Sequence, residues 1–79
     1  MTKRHKKNLV GHVVKKIRLS NKAPITQEQL AIRLQLLDWF IDRFGVSKIE
    51  RGEREITDIE LLKLSKALDV SIQDFFKAE

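Results

Sequence analysis

The segment Asp42–Glu53 carries the side chains best suited to bind a partner, because helix signals and a basic face coincide there. Asp42 predicts a helix N-cap, since its carboxylate can accept from unpaired backbone N–H groups, and Gly52 predicts the helix end. Val46 and Ile49 lie three residues apart and therefore share one face. The polar side chains left for the other faces are Arg43, Ser47, Lys48 and Arg51. A short helix of this kind suits insertion into an anionic partner.

The sequence offers little for catalysis. The two histidines, His5 and His12, are separated by seven positions and have no cysteine beside them, so no metal site is indicated. The chain has no glycine-rich phosphate loop, and its serines lack a plausible histidine–aspartate partnership. We therefore expect a protein that is not an enzyme, with no catalytic residue, no metal and no cofactor.

Length and composition limit the remaining possibilities. A chain of 79 residues predicts one domain, and the absence of cysteine excludes a disulfide framework and is compatible with the cytosol. No stretch approaches the ~20 apolar residues that cross a bilayer, and no apolar run follows the basic N-terminus as in a signal peptide. These features predict a cytoplasmic, nucleoid-associated protein with no membrane partner.

Charge is distributed unevenly along the chain. Residues 1–22 contain eight basic residues and no acidic one, whereas residues 23–79 contain eight basic and eleven acidic residues. The basic N-terminal segment is typical of a surface that binds nucleic acid, although a solvated tail that only aids solubility would have the same composition. We predict a flexible basic arm over residues 1–8 and a folded domain over residues 9–79.

Helix signals recur through the domain. Leu9, Val13 and Ile17 are spaced by four and predict an amphipathic helix from residue 9 to about 20, with Asn8 as a cap. Two capping boxes, Thr26 to Gln29 and Thr57 to Glu60, predict the starts of the second and fourth helices. The fourth helix is expected to end near Leu68, and Ser71 is expected to cap a last short helix through Phe76.

The segment Leu36–Ile41 admits two interpretations. It could continue the second helix to Phe44, or the helix could end near Leu37 and leave a buried apolar loop over 38–41. The second is preferred, because Asp42 is better suited to an N-cap than to a helix interior.

Three motifs together resemble the Cro/repressor-type, or XRE, family of helix-turn-helix proteins. They are Thr26–Ala31 (TQEQLA), Ser47–Gly52 (SKIERG) and Leu61–Val70 (LLKLSKALDV). The resemblance covers about residues 9–76. It implies an all-α, compact five-helix domain of the phage-repressor DNA-binding type. In that fold the second and third helices form the helix-turn-helix, and members usually act as two-fold dimers.

The resemblance also implies roles for individual residues. Helix 42–52 would enter the major groove, and the side chains that would face base edges are Arg43, Phe44, Ser47 and Lys48. The DNA backbone would be contacted by Gln27, Thr26, Arg51 and Arg54, and by the arm residues Lys3, Arg4, Lys6 and Lys7. Arg18 and Glu50 match a partly buried charged pair that ties the first helix to the third.

The sequence departs from the family pattern in two places. About five extra residues precede the third helix, a feature of a family subset with a longer connection. The second departure is Phe44 and Gly45 at the start of that helix, where polar residues are usual. Gly45 could bring the backbone close to DNA. Phe44 could touch a thymine methyl, belong to the core or meet a protein partner.

These features predict a sequence-specific regulator of double-stranded DNA, more specifically a repressor, that forms a homodimer, if only on DNA. Interface candidates are Trp39, Phe40, Phe75 and Phe76, although each could be core. The chief alternative is a protein-interaction module of the same fold, such as an antitoxin or anti-repressor. A generic RNA or nucleoid binder is a third, weaker interpretation.

Overall fold

The computed structural model describes residues 7–20 and 23–77 of the chain. This part contains four α-helices, which are α1 (Gly11–Ser20), α2 (Gln27–Gln35), α3 (Arg43–Glu50) and α4 (Asp58–Leu68). A 3-10 helix, Ile72–Phe76, follows α4. The described residues contain no strand, which agrees with the all-α prediction. The predicted fifth helix is a 3-10 turn, and Asp74 N donates to Ser71 O over three residues at 3.0 Å.

Local side-chain bonds start α2 and α4 where the sequence predicted, whereas α1, predicted from Leu9, starts at Gly11. Thr26 Oγ1 accepts from Gln29 N at 3.0 Å, and Thr26 N donates to Gln29 Oε1 at 2.8 Å. Thr57 and Glu60 exchange the same two bonds at the start of α4. Capping boxes satisfy backbone donors that a helix leaves unpaired. Both helix starts are thus determined within four residues of sequence.

The connection between α2 and α3 is a loop, as preferred above. Asp38 adopts a left-handed conformation (φ 68°), and Trp39 N donates back to Leu34 O at 3.0 Å, which ends the helix. The expectation that the whole loop is buried is wrong. Ile41 is buried and Trp39 is half-buried, but Phe40 is 84% exposed. Ile41 N donates to Trp39 O at 2.9 Å, which forms a γ-turn with Phe40 at its centre, and the Phe40 side chain lies in solvent at this turn.

The core lies between the four helices. Its most deeply buried large side chains come from every helix, namely Val14, Leu30, Leu34, Val46, Ile49, Leu64, Leu68 and Phe75. Helix α3 contributes Val46 and Ile49, the two residues predicted to share its apolar face. Phe75 is 2% exposed and belongs to this core, which removes it from the interface candidates. The burial holds α3 against α1 and α2 while its other faces meet solvent.

Candidate nucleic-acid interface

Helix α3 has well-defined ends. Asp42 Oδ1 accepts from Gly45 N at 2.9 Å, which caps the first turn. At the other end, Gly52 has φ 74°, Gly52 N donates to Ile49 O, and Glu53 N donates to Lys48 O, both at 2.9 Å. This pair of bonds is the Schellman motif, which favours glycine at the left-handed position. The helix therefore spans two turns and presents a fixed surface.

The outward surface of α3 is basic at both ends. Arg43, Lys48 and Arg51 are exposed, and Ser47 is half-buried between them. Phe44 is 63% exposed, so it is not a core residue. Its ring lies under the guanidinium of Arg43, with 4.9 Å from Arg43 Cζ to the ring centroid. This distance is that of a cation–π contact.

Gly45 has a packing role. A Cβ at this position would lie 2.4 Å from Ile41 Cγ1, closer than any real Cβ contact. Ile41 is buried, and it closes the loop onto the first turn of α3. The absence of a side chain at Gly45 thus lets the connection pack against the helix. This contact accounts for the glycine in the first turn without invoking DNA.

Arg51, predicted as a phosphate contact, is held by a carboxylate. It forms a bidentate pair with Glu53 at 3.0 and 3.1 Å, and it also donates to Ser47 Oγ. The hydrogen bonds that Arg51 donates to the Glu53 carboxylate raise the pKa of Arg51 above its ordinary value. The pair is exposed, so solvent screens it and a phosphate can compete for the guanidinium.

Arg54 is more firmly engaged. Its guanidinium donates to both carboxylate oxygens of Glu60 at 2.9 and 3.0 Å and lies 5.2 Å above the Trp39 ring. The hydrogen bond with Glu60 raises the pKa of Arg54, and the same bond lowers the pKa of Glu60. Arg54 therefore joins the α2–α3 connection to the start of α4, a structural role that the sequence did not indicate.

A buried polar network fixes α3 from behind. Arg18 Nε donates to Glu50 Oε2 at 2.7 Å and Arg18 Nη2 to Glu50 Oε1 at 3.1 Å, as the resemblance implied. Arg18 Nη1 donates to Ile25 O at 2.8 Å. Gln27 Nε2 donates to Glu50 Oε1 at 2.9 Å, so the network also includes the start of α2. Buried charges need such satisfaction, and here it joins three helices.

Gln27 and Thr26 were predicted to contact the DNA backbone. One N–H of the Gln27 amide is used by Glu50, and the second remains available to a phosphate. The Thr26 hydroxyl caps α2. Their position at a helix N-terminus suits an anion, because unpaired backbone N–H groups gather there.

Asn8 is a residue whose full role the sequence did not reveal. Its Oδ1 accepts from Val10 N at 3.1 Å and Gly11 N at 2.7 Å, which supports the start of α1. Its Nδ2 donates to Ile49 O at 3.1 Å and Arg54 O at 2.8 Å, on either side of the α3 C-terminus. Only the local capping had a sequence signal, because the other partners lie more than forty positions away.

The predicted arm meets α3 at its C-terminal end. Lys7 N donates to Gly52 O at 2.8 Å, and the Lys7 side chain is exposed. Lys7 and Asn8, the last residues of the predicted arm, are therefore attached to the domain. The remaining arm residues predicted to contact DNA lie outside the described residues, namely Lys3, Arg4 and Lys6.

Other kinds of site have no support in the described part of the chain. Residues 7–20 and 23–77 contain no group of three or more His, Cys, Asp or Glu side chains placed to hold a metal ion. None of the described helices has the length and apolar character required to span a bilayer.

Comparison with known proteins agrees with this geometry. A helix-turn-helix family model matches residues 14–75. The chain belongs to this family, in its XRE-type branch, and it is a DNA-binding transcriptional regulator.

Two relatives have similar sequence or structure. Control protein C.BamHI of Bacillus amyloliquefaciens is 41% identical over 66 residues, which cover 84% of this chain and 74% of that protein. The crystal structure of the restriction-modification controller protein C.AhdI from Aeromonas hydrophila superposes with a TM-score of 0.71 at 30% identity. That match covers 85% of this chain and 87% of the other.

Proposed function

We propose that this chain controls transcription by inserting α3 into the major groove of an operator. The observation that carries this proposal is the exposed basic face of α3, with Arg43 and Lys48 outward and Val46 and Ile49 fully buried behind them. A recognition helix must present side chains to base edges from a rigid support. The network of Arg18 with its partners supplies that support.

Base reading is assigned to the predicted set on α3. Arg43 can donate two parallel hydrogen bonds to guanine O6 and N7, the commonest specific contact in the major groove. Lys48, about 1.4 turns further along the helix, is a second base or phosphate contact. Ser47 is bound to Arg51, so any base contact by its hydroxyl would be shared with that guanidinium.

Phosphate contacts would orient the domain and provide most of the affinity. The α2 N-terminus, with Gln27 and Thr26, is one such contact, and the basic arm is another. Arg51 can join them by exchanging Glu53 for a phosphate. Arg54 is the weakest of the predicted phosphate contacts, because it would have to leave both Glu60 and the Trp39 ring.

A homodimer would let the chain read two half-sites. Several apolar side chains remain exposed on α4 and the 3-10 helix, including Ile59 (64%), Leu62 (43%) and Phe76 (58%). Burial of such groups against a second copy would be favourable. Of the predicted interface candidates, Phe76 supports this surface, whereas Trp39 packs partly against the core beneath Arg54.

The relatives narrow the biological setting. C.AhdI is a restriction-modification controller protein and C.BamHI is a control protein. We propose that this chain likewise controls a restriction–modification system, as a repressor or an activator of its operator.

Selection of bound duplexes from a random DNA library tests the proposal. We expect one enriched, two-part sequence whose half-sites are separated by about one helical turn. Recovery of no preferred sequence at moderate salt would contradict sequence-specific binding. Retention of RNA and DNA alike would favour a generic nucleic-acid binder.

One observation favours the protein-interaction alternative. Leu36 is 80% exposed and Phe40 is 84% exposed, and both lie on the α2–α3 connection. Apolar side chains in a loop beside the DNA face suit a protein partner. Substitution of both by serine should leave DNA affinity unchanged if they serve such a partner.

A further inference from the structure

The arginines of this domain differ in what holds their guanidinium groups. Arg18, Arg51 and Arg54 each form a bidentate pair with a carboxylate. The Arg43 guanidinium instead lies over the face of the Phe44 ring, among the residues that the structure describes. A cation–π contact leaves the guanidinium N–H donors without a hydrogen-bond partner, because the ring carries no oxygen or nitrogen acceptor. Arg43 therefore keeps both its charge and its donors for a ligand.

Phe44 is an unusual residue on a face meant for DNA. It is 63% exposed in the first turn of α3, and phosphates offer nothing to an apolar ring. The major groove has one exposed apolar substituent, the C5 methyl group of thymine. First-turn residues of a recognition helix are those that meet base edges. The C5 methyl group of a base is therefore the partner that the major groove can offer to the Phe44 ring.

We propose that Arg43 and Phe44 read one dinucleotide step together, a guanine next to a base that carries a C5 methyl group. This inference rests on the proposed function. Arg43 donates to guanine O6 and N7, while the adjoining Phe44 ring contacts the neighbouring methyl group. The two side chains are adjacent and in contact, so the pair can meet two neighbouring bases. Thymine and 5-methylcytosine satisfy the site, whereas uracil and cytosine lack the methyl group.

The test uses the full chain and the duplex recovered by library selection. Each thymine beside a guanine is replaced in turn by deoxyuridine, which removes only the methyl group. We expect one position in each half-site at which affinity falls about three- to fivefold, the value of one buried methyl group. Phe44→Ala should bind the thymine and uracil duplexes equally. Circular dichroism should show unchanged folding, because the Phe44 ring is exposed.

The matched control is Phe40→Ala, which removes another exposed ring from the connection before α3. It should keep the full preference for thymine over uracil. At the same position, 5-methylcytosine should bind more tightly than cytosine in the native protein and equally in Phe44→Ala.

Two results would overturn the inference. A thymine preference that persists in Phe44→Ala, or no uracil effect at any position, would show that Phe44 reads no methyl group while DNA binding itself stands. Failure to recover any preferred duplex would instead remove the proposed function, and this inference with it.

Discussion

Arg18 and Glu50 form a buried bidentate ion pair, with 2.7 Å between Arg18 Nε and Glu50 Oε2. Their side chains are 7% and 3% exposed. A buried pair of this kind costs desolvation energy, and it is kept here at the junction of α1, α2 and α3. Gln27, at the start of α2, also donates to Glu50, so we infer that the pair serves to fix the position of α3 against α1 and α2.

Removal of one partner should therefore be costly. We expect Arg18→Met to lower the free energy of unfolding by about 3–5 kcal/mol, because Glu50 would remain buried without its counter-ion. Urea denaturation measures this loss. The double variant Arg18→Met/Glu50→Leu removes both charges and should recover much of the stability. A double variant as unstable as the sum of the two single variants would contradict coupling between them.

Gly11 lets the start of α1 pack closely against the backbone of α3. A Cβ at Gly11 would lie 1.9 Å from Ile49 O, a backbone atom that cannot rotate away. Gly11→Ala should separate the helices and lower the free energy of unfolding by about 1–3 kcal/mol or more, although alanine favours helices. Thermal denaturation measures the change.

Gly45→Ala is the matched comparison for that substitution. Its Cβ would meet Ile41 Cγ1 at 2.4 Å and Ile41 Cδ1 at 2.8 Å, which belong to a buried side chain in a loop, whereas the atom met at Gly11 belongs to the backbone of α3. The loss should therefore be smaller than for Gly11→Ala, and partly offset by helix propensity. An equal or larger loss at Gly45 would mean that the loop at Ile41 is as rigid as the backbone of α3.

Helix ends were the part of the fold that the sequence predicted well. Thr26 with Gln29, and Thr57 with Glu60, form bonds between residues three apart, so residue type and spacing suffice to identify them. The Asp42 cap was predictable for the same reason. The exposure of Phe40 was not, because it depends on how the chain leaves the left-handed turn at Asp38.

Long-range contacts explain what the sequence did not reveal in the candidate site. Asn8 bonds to backbone carbonyls of Ile49 and Arg54, and backbone acceptors carry no residue-type signature. Arg54 has a basic side chain suited to DNA, yet its position over Trp39 and against Glu60 emerges only after folding. Side-chain charge therefore sufficed to predict which residues could contact DNA. The three-dimensional structure shows which of these side chains are already engaged by other residues.

The pair of Glu60 with Arg54 makes stability depend on pH. The hydrogen bond with Arg54 lowers the pKa of Glu60 in the folded chain. The stabilisation is present above the unfolded pKa of about 4.3 and is lost as pH falls through the lower folded value. In Glu60→Gln the free energy of unfolding, measured by urea denaturation at several pH values, should depend less on pH in that acidic range. The exposed Glu55→Gln serves as the control, and an equal flattening there would contradict the assignment.

Asn8→Asp separates the two functions of that side chain. Aspartate is as good a helix cap as asparagine, so the bonds from Val10 N and Gly11 N can persist. The new carboxylate oxygen would face the carbonyls of Ile49 and Arg54, which then lose their donor. We expect a loss of about 1–3 kcal/mol in urea denaturation. Unchanged stability would show that capping alone accounts for Asn8.

The basic arm should be visible in the salt dependence of DNA binding. Lys7 N is bonded to Gly52 O, so the arm begins beside the C-terminal end of α3. If Lys3 and Lys6 contact phosphates, Lys3→Gln/Lys6→Gln should make the slope of log affinity against log salt shallower by up to about 2, since each released contact contributes roughly 0.9. Binding titrations of the selected duplex at several salt concentrations measure this slope. The matched control removes the same charge from α4, with Lys63→Gln/Lys66→Gln. An equal change in both variants would indicate a general charge effect and no phosphate contact by the arm.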